Sequence, residues 1–251
     1  MQKIDRIVAR NHHSGWSVQL ATIELFREDA YLDRCTATVM AAGDGWVELD
    51  RTVLYAAAGG QPGDTGRLAG AAVLDSVKGA QPGTIRHLLA QGSAVPVPAA
   101  TVPVEVDWPR RYRLMRMHSA LHLLCRAVDG VVTGGQIGDG KGRLDFDIPE
   151  PTLDKDAIAD RINRWIADDR TIRHFWVDES ELDARPELVR TLSVRPPRGQ
   201  GRVRLVEIDG VDLQACGGTH VRRTAEIGRI KVDKIEKKGR QNRRVAISFE
   251  A

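Results

Sequence analysis

Four side chains with nitrogen and sulfur donor atoms constrain the fold of this chain more than any other sequence feature. His118 and His122 lie four residues apart in MHSALHLL, and Cys216 and His220 lie four residues apart in CGGTH, about one hundred residues further on. On a helix, a spacing of four directs both imidazoles to the same face, where they can reach one ion. The two glycines of CGGTH let the backbone bend tightly between its Cys and His. The two pairs together supply the four ligands of a tetrahedral zinc site, provided that the fold brings the two segments together.

Other interpretations of these residues stay open at this stage. Taken alone, a His pair at this spacing is more typical of partly buried helix histidines than of a metal site. Cys125 is a rival ligand seven residues after His118, although a buried structural cysteine is the commoner case. Ser119 stands where a zinc metalloprotease carries its general-base glutamate, which excludes that class. Four protein ligands are typical of structural zinc, whereas catalytic zinc keeps an open position. The residue that activates water is therefore left unassigned.

The composition indicates an ordinary folded protein. The chain has 251 residues, of which 42% are hydrophobic and 28% charged, so it can form one large domain or two small ones. No apolar run approaches the roughly 18 to 20 residues of a membrane span, and the N-terminus lacks the apolar stretch of a secretory signal. The three cysteines, odd in number, favour reduced thiols over a disulfide framework. We therefore expect a cytoplasmic protein that does not engage membranes.

Hydrophobic periodicity divides the chain into an extension and two domains of an α+β protein. We assign no role to residues 1–20. Short β-prone runs alternate with Gly, Pro and Asp turns over residues 21–107, which predicts a small antiparallel barrel or sandwich. Residues 108–251 predict a two-layer α/β domain with an antiparallel sheet and the zinc site. Its helices are expected in RRYRLMRMHSALHLLCRAV and LDKDAIADRINRWIADD, each with one apolar stripe.

Basic residues concentrate near the C-terminus. The net charge is only +3, but the segment from Arg222 to Ile247 carries ten Lys and Arg against three Asp and Glu. Such an excess suits phosphate binding, and a solvated charged edge is the alternative.

These motifs together carry a resemblance to a known family. MHSALHLL and CGGTHV closely resemble the paired HxxxH and CxxxH motifs of alanyl-tRNA editing domains, which are related to the second additional domain of threonyl- and alanyl-tRNA synthetases. LYAAAGGQPGDTG resembles the family's glycine-rich GGGQPxDxG, with Ala58 in place of the first glycine, and Ser119 stands where the family usually has Thr. RLDFDIP and IEKKGRQNRRVAI are also similar to family segments. Since no aminoacylation domain is present, the chain resembles a free-standing, AlaX-type editing protein from about Thr22 onward.

The resemblance implies a zinc-containing aminoacyl-tRNA hydrolase. It would remove a wrong amino acid, serine or possibly glycine, from alanine tRNA; the alternative is a non-catalytic, zinc-stabilised tRNA-binding module. Zn²⁺ would be held by His118, His122, Cys216 and His220. Residues expected to contact the substrate are Ser119, which would bond the serine hydroxyl, with Gln61, Asp64, Gly217, Gly218 and Thr219. Residues expected to contact tRNA phosphates are Lys237, Lys238, Arg240, Arg243 and Arg244, with Arg111 and Arg113 as additions. Serine versus glycine preference and oligomeric state stay undetermined.

Overall fold

A computed structural model describes residues 21–148, 153–185, 188 and 201–250. The predicted extension, residues 1–20, lies outside the described residues. Within the described chain the first eight strands are β1 (Ile23–Glu24), β2 (Arg34–Gly43), β3 (Trp46–Leu49), β4 (Arg51–Thr52), β5 (Gly66–Leu68), β6 (Ala71–Lys78), β7 (Ile85–Leu89) and β8 (Thr101–Val106). The later strands are β9 (Val131–Ile137), β10 (Lys141–Asp147), β11 (Ile172–Asp178), β12 (Arg202–Ile208), β13 (Asp212–Ala215), β14 (Ile230–Lys237) and β15 (Asn242–Phe249). The α-helices are α1 (Trp108–Ala127), α2 (Lys155–Ala167) and α3 (Glu179–Ala184).

The N-terminal strands close into an antiparallel barrel in the order β2-β3-β7-β6-β5-β8. Alternate residues along β7 point inward, as expected for a half-buried strand. The barrel interior is filled by aliphatic side chains, among them Val39, Val47, Leu68 and Val104. The barrel predicted from the β-prone runs is thus confirmed.

Helix α1 begins where the barrel ends. The Asp107 carboxylate caps the helix by accepting from the Arg110 backbone N–H at 3.3 Å, and Pro109 fits the first turn because no intrahelical donor is needed there. The helix packs on a four-stranded antiparallel sheet of order β14-β15-β10-β9, against which α2 also packs. Leu114, Leu124 and Phe146 lie in the shared core. The predicted α+β class is confirmed; the division into domains at residue 107 stays a prediction.

A second antiparallel sheet carries the other half of the predicted metal site. Its strand order is β11-β12-β13, and β13 leads directly into CGGTH. Two details differ from the sequence prediction: β11 was not foreseen, and the glycine-rich segment GGQIGDGKG begins inside strand β9. Pairing of β9 with β10 overrides the low strand propensity of glycine.

Among the described residues, no helix combines the length and apolar character needed to traverse a bilayer.

Candidate metal centre and substrate pocket

Helix α1 presents His118 and His122 one turn apart on a face that is nearly enclosed. His118 is 9% exposed and His122 is 6% exposed, with 5.2 Å between their ring centroids. The helix is buried on almost all sides, because the barrel, the sheet and the CGGTH loop surround it. Both rings are therefore held in a protein interior rather than at the edge of a core.

The CGGTH loop turns back on itself to bring Cys216 and His220 onto the same point. The Arg204 guanidinium fastens the loop by donating to the backbone oxygens of Cys216 at 2.9 Å and Gly218 at 3.1 Å. A Cβ atom at Gly218 would overlap the His118 ring. Glycine is required here because the loop backbone packs directly on a candidate ligand.

The four predicted ligands come together in space. One ligand atom from each of His118, His122, Cys216 and His220 lies within 4.8 Å of every other. Cys216 Sγ is 3.3 Å from His220 Nε2 and 3.6 Å from His118 Nε2. Three imidazoles and one thiolate are a donor set that zinc accepts. The cluster can therefore hold a metal ion.

The electrostatics of the cluster favour the protonation states that a metal needs at two of its four ligands, Cys216 and His220. Burial alone would raise the pKa of the Cys216 thiol, but the adjacent His118 and His220 rings hold this pKa well below its ordinary value. Burial, reinforced by His118, lowers the pKa of His220, so its ring is neutral. Metal ligation requires thiolate and neutral imidazole, which Cys216 and His220 supply. Burial would lower the pKa of His122, but its hydrogen bonds with Asp212 and Cys216 outweigh burial and raise this pKa to about 10, so a bound metal would have to displace a proton from this ring.

Each of the three imidazoles has a hydrogen-bonding partner at Nδ1, the nitrogen that faces away from the cluster. The three pairs are His118 with Gln61 Oε1 at 2.9 Å, His122 with Asp212 Oδ2 at 3.0 Å, and His220 with Ser119 Oγ at 3.1 Å. A proton on Nδ1 leaves the lone pair on Nε2, so that all three Nε2 atoms are available to one ion. The partner oxygens thus select the tautomer that suits a metal site.

Gln61 connects the barrel to the metal cluster, as the glycine-rich motif suggested. Its side chain is buried; Nε2 donates to Thr219 Oγ at 2.9 Å, and Oε1 accepts from the Thr219 backbone N–H at 3.2 Å. A tight turn from Ala58 to Gln61 places it there, with positive φ at Gly59 and Gly60. Alanine at position 58 is tolerated because the left-handed positions are the two glycines that follow.

Asp64 and Arg111 have a role different from the predicted one. Arg111 is wholly enclosed rather than on a tRNA-binding surface, and its Nε donates to Asp64 Oδ2 at 2.7 Å. Asp64 also accepts from the Tyr55 backbone N–H at 2.7 Å and does not reach the cluster. The pair joins the glycine-rich loop to α1, so the expectations of phosphate contact for Arg111 and substrate contact for Asp64 are corrected. Arg113 is at the surface, paired with Asp139.

Ser119 lies beside the metal cluster, against His220. The side chain is fully buried, and besides contacting His220 its Oγ accepts from the Val221 backbone N–H at 3.3 Å. Ser119 is absent from the residues that line the adjacent cavity. The hydroxyl contacts a candidate ligand, and its contact with a substrate side chain stays a prediction.

A partly open cavity of about 100 Å³ adjoins the cluster. His118 and His122 form part of its wall, and Cys125, Gln136 and Gln214 contribute further polar atoms. Leucine, isoleucine and valine side chains complete the wall. Cys125 thus lies beside the cavity and outside the four-ligand cluster. A space of this size holds a few water molecules or one small side chain.

Sequence reasoning missed two side chains of this site. Asp212 and Gln214 precede Cys216 by four and two residues, and both are buried. Residues at i, i+2 and i+4 of a strand point to one face, so VDLQAC contained the signal. Because β13 runs into the CGGTH loop, the same face that presents Cys216 presents these two side chains.

The predicted phosphate-binding residues lie on the β14–β15 hairpin. Lys237, Lys238 and Arg240 are exposed at its tip, and Arg243 is partly buried beside them. Arg244 instead forms a two-pronged ion pair with Asp145 of β10, at 2.7 and 2.9 Å. The charge of Arg244 is already compensated, so the exposed cations of the tip are the better candidates for binding tRNA phosphates.

The sequence of this chain is similar to those of known proteins whose names refer to alanyl-tRNA editing. Residues 203–246, which include CGGTH, match the family described as the threonyl and alanyl tRNA synthetase second additional domain. A Methanosarcina mazei protein named alanyl-tRNA editing protein AlaX-M is 35% identical over 242 residues, covering 91% of this chain and 96% of the relative. Its namesake from Methanosarcina acetivorans is 36% identical over 235 residues, covering 88% of this chain and 96% of the relative.

A longer relative shares the same region. An alanine–tRNA ligase of Pyrobaculum calidifontis is 36% identical over 232 residues, which cover 86% of this chain and 25% of the ligase. The similarity to the editing proteins instead extends over nearly their whole length and includes both halves of the metal cluster. The chain therefore belongs to the family of AlaX-type alanyl-tRNA editing proteins.

Proposed function

We propose that this protein hydrolyses the ester that joins a wrong amino acid, serine or glycine, to the terminal ribose of alanine tRNA. The observation that carries the proposal is the convergence of four ligand atoms next to a partly open cavity of about 100 Å³. A cavity of this size has room for a hydrogen or a hydroxymethyl group. The names of the relatives, alanyl-tRNA editing protein and alanine–tRNA ligase, support alanine tRNA as the carrier.

The need for such an activity follows from the limits of small pockets. A synthetic site built for alanine cannot exclude glycine by size, and it rejects an added hydroxyl by only about a hundredfold. A separate hydrolytic site then supplies the remaining discrimination.

The residues of the cluster fit zinc. His118, His122, Cys216 and His220 would hold the ion, and Gln61, Asp212 and Ser119 would fix the imidazole tautomers. When bound, zinc would supply a Lewis acid for positioning the aminoacyl ester or a water molecule. The chain itself excludes bulk solvent, since the His rings and Thr219 are almost completely buried.

The tip of the β14–β15 hairpin would hold tRNA phosphates. Lys237, Lys238 and Arg240 are exposed there, and contacts of this kind add affinity without sequence information. Replacing Lys238 and Arg240 together by alanine should weaken tRNA binding and flatten its salt dependence. Lys78→Ala, an exposed charge change on the barrel, serves as the control.

The experiment compares alanine tRNA charged with serine, glycine or alanine. We expect rapid loss of the seryl and glycyl esters and slow loss of the alanyl ester. Cys216→Ala should abolish hydrolysis and stoichiometric zinc, whereas Cys35→Ala, a cysteine of the barrel, should preserve both. Equal stability of the seryl and alanyl esters in the presence of zinc-loaded protein would refute the proposed activity.

The four protein ligands favour one competing proposal, a zinc-stabilised tRNA-binding module without turnover. Such a module would bind tRNA and unfold on chelation while leaving all three esters intact. The cavity beside His118 and His122 supports the hydrolase instead, because a purely structural site has no need of adjoining space.

A further inference from the structure

In the wall of the cavity beside the metal cluster, the amide group of Gln214 is held by hydrogen bonding at one end only. Gln214 is 5% exposed and forms part of the cavity wall, next to His122. Its Nε2 donates to Asp212 Oδ2 at 2.7 Å and lies 3.0 Å from His122 Nδ1. The amide is therefore anchored at its nitrogen end.

The orientation of this amide is fixed by chemistry. Asp212 Oδ2 already accepts from His122 Nδ1 at 3.0 Å, and an ionised carboxylate can only accept. The end of Gln214 that faces Asp212 must then be the NH₂ group. Its carbonyl oxygen, Oε1, points away from this carboxylate.

Within the described part of the chain, no donor forms a hydrogen bond with Gln214 Oε1. Among the described residues, the unpaired side-chain atoms that are sealed from solvent are Asp64 Oδ1, His87 Nε2, Asp169 Oδ1, Asp212 Oδ1 and Asn242 Oδ1. Gln214 Oε1 is not in this set, so it is accessible. Because Gln214 is otherwise buried and lines the cavity, this accessible oxygen is an acceptor presented to the cavity. Gln136, the other amide of the wall, is exposed and its Oε1 already accepts from Arg143 at 3.2 Å.

We propose that Gln214 determines specificity by accepting a hydrogen bond from the hydroxyl of a seryl substrate. The inference rests on the proposed hydrolase and names a group that distinguishes its substrates, the role that the resemblance assigned to Ser119. A seryl side chain satisfies Oε1 inside the cavity. An alanyl methyl group displaces water from Oε1 and offers it no donor, which disfavours the cognate ester.

The main test is the ratio of kcat/KM for seryl ester to that for glycyl ester on alanine tRNA. This ratio is internal to each preparation, so a partial loss of metal or of folded protein cancels. Gln214→Met keeps the length of the side chain and removes the acceptor, and we expect the ratio to fall about tenfold. Gln214→Asn keeps a polar amide but shortens the side chain by one methylene, which withdraws the oxygen from the cavity, and should also lower the ratio; it carries the test if the methionine variant loses its metal. Gln91→Met makes the same exchange at an exposed turn that does not line the cavity and should leave the ratio unchanged.

A binding measurement makes the test independent of turnover. Calorimetry with amide-linked seryl- and glycyl-adenosine, which are not hydrolysed, should show the same selective loss for the seryl compound in the Gln214 variants. An unchanged ratio in both variants, with active wild-type protein, overturns the role of Gln214 and leaves the proposed function standing. Equal losses for seryl and glycyl esters also overturn it, since they indicate general positioning. A wild-type protein that hydrolyses neither ester overturns the proposed function itself, and this inference with it.

Discussion

Among single substitutions, replacement of Arg111 should weaken the junction between the barrel and α1 the most. The Arg111 side chain is wholly enclosed and donates to the Asp64 carboxylate, to the Ala30 backbone oxygen at 3.0 Å and to the Val53 backbone oxygen at 2.6 Å. Arg111→Met fills most of the same space but leaves these acceptors without their donor. The carboxylate then stays buried beside an apolar side chain.

The expected cost follows from the burial of both charges. Removing one partner of a buried ion pair costs about 3 to 5 kcal/mol, because the remaining charge is uncompensated. Two carbonyl groups lose a donor as well, although these losses do not simply add. We therefore expect the free energy of unfolding to fall by about 4 kcal/mol, a large part of the roughly 5 to 15 kcal/mol typical of a folded domain. For a chain of this length, each kcal/mol corresponds to about 2 to 4 °C in Tm.

Urea unfolding of the zinc-saturated protein, followed by circular dichroism, measures this loss. The matched control is Arg113→Met, two residues along the same helix, whose ion pair with Asp139 is about half exposed and should contribute at most about 1 kcal/mol. Adding Asp64→Asn to Arg111→Met removes the stranded charge and should recover part of the stability. The reasoning is refuted if Arg111→Met is no more destabilising than Arg113→Met, or if the double variant is no more stable than the single one.

Three further predictions concern individual side chains. Gly218→Ala should weaken zinc at least about tenfold in chelator competition because the new Cβ displaces the His118 ring, whereas Gly217→Ala, which meets only the end of an arginine, should bind zinc normally. Asp212→Asn should lower zinc affinity about 10- to 100-fold in the same titration, since a neutral amide holds its imidazole partner less firmly; unchanged affinity would contradict its orienting role. Burial lowers the pKa of His87 to about 3, so between pH 6.5 and 3 the unfolded chain binds a proton that the folded chain does not. As the pH is lowered through this range, the free energy of unfolding should therefore decrease by at most about 1.4 kcal/mol per pH unit. Urea titrations of His87→Leu should lack this pH-dependent decrease.

Much of the fold could be predicted from local patterns. The predicted second helix, within residues 153–169, is observed as Lys155–Ala167, and its N-cap Asp154 accepts from two backbone N–H groups. The β-prone runs of residues 35–106 form most of the barrel strands. These elements depend on hydrophobic periodicity, turn residues and caps, all of which are local properties of the sequence.

Strand β9 shows where local patterns fail. Glycines weaken a strand prediction, yet Gly134 and Gly135 pair with β10. The reason for glycine is tertiary packing: a Cβ at Gly135 would lie 2.9 Å from Leu144 Cδ2 on β10. The glycine-rich loop also approaches this strand closely, and Ile137 N–H donates to the Gly60 oxygen at 2.8 Å. A Cβ at Gly60 would lie 2.7 Å from the Gly135 oxygen. Only the three-dimensional packing explains this pattern.

The four-ligand cluster was predictable because few residue types can hold a transition metal, and their spacings narrow the geometry. The roles of the side chains around the cluster were not, because an amide, a carboxylate or a hydroxyl has many possible uses. Ser119 is the clear case: its contact with His220 was not predicted, although one residue along a helix from His118 rotates the side chain by about 100°.

The three groups that orient the imidazoles come from separate parts of the chain. Gln61 lies on the barrel loop, Ser119 on α1 and Asp212 on β13. None of these segments can position all three rings alone, so the geometry of the cluster depends on docking of the barrel against α1 and the second sheet. The buried Arg111 pair that fixes this docking is therefore also a determinant of the metal site, although it touches no candidate ligand. On this basis the barrel is a structural part of the candidate centre, because its loop supplies the oxygen that sets the His118 tautomer.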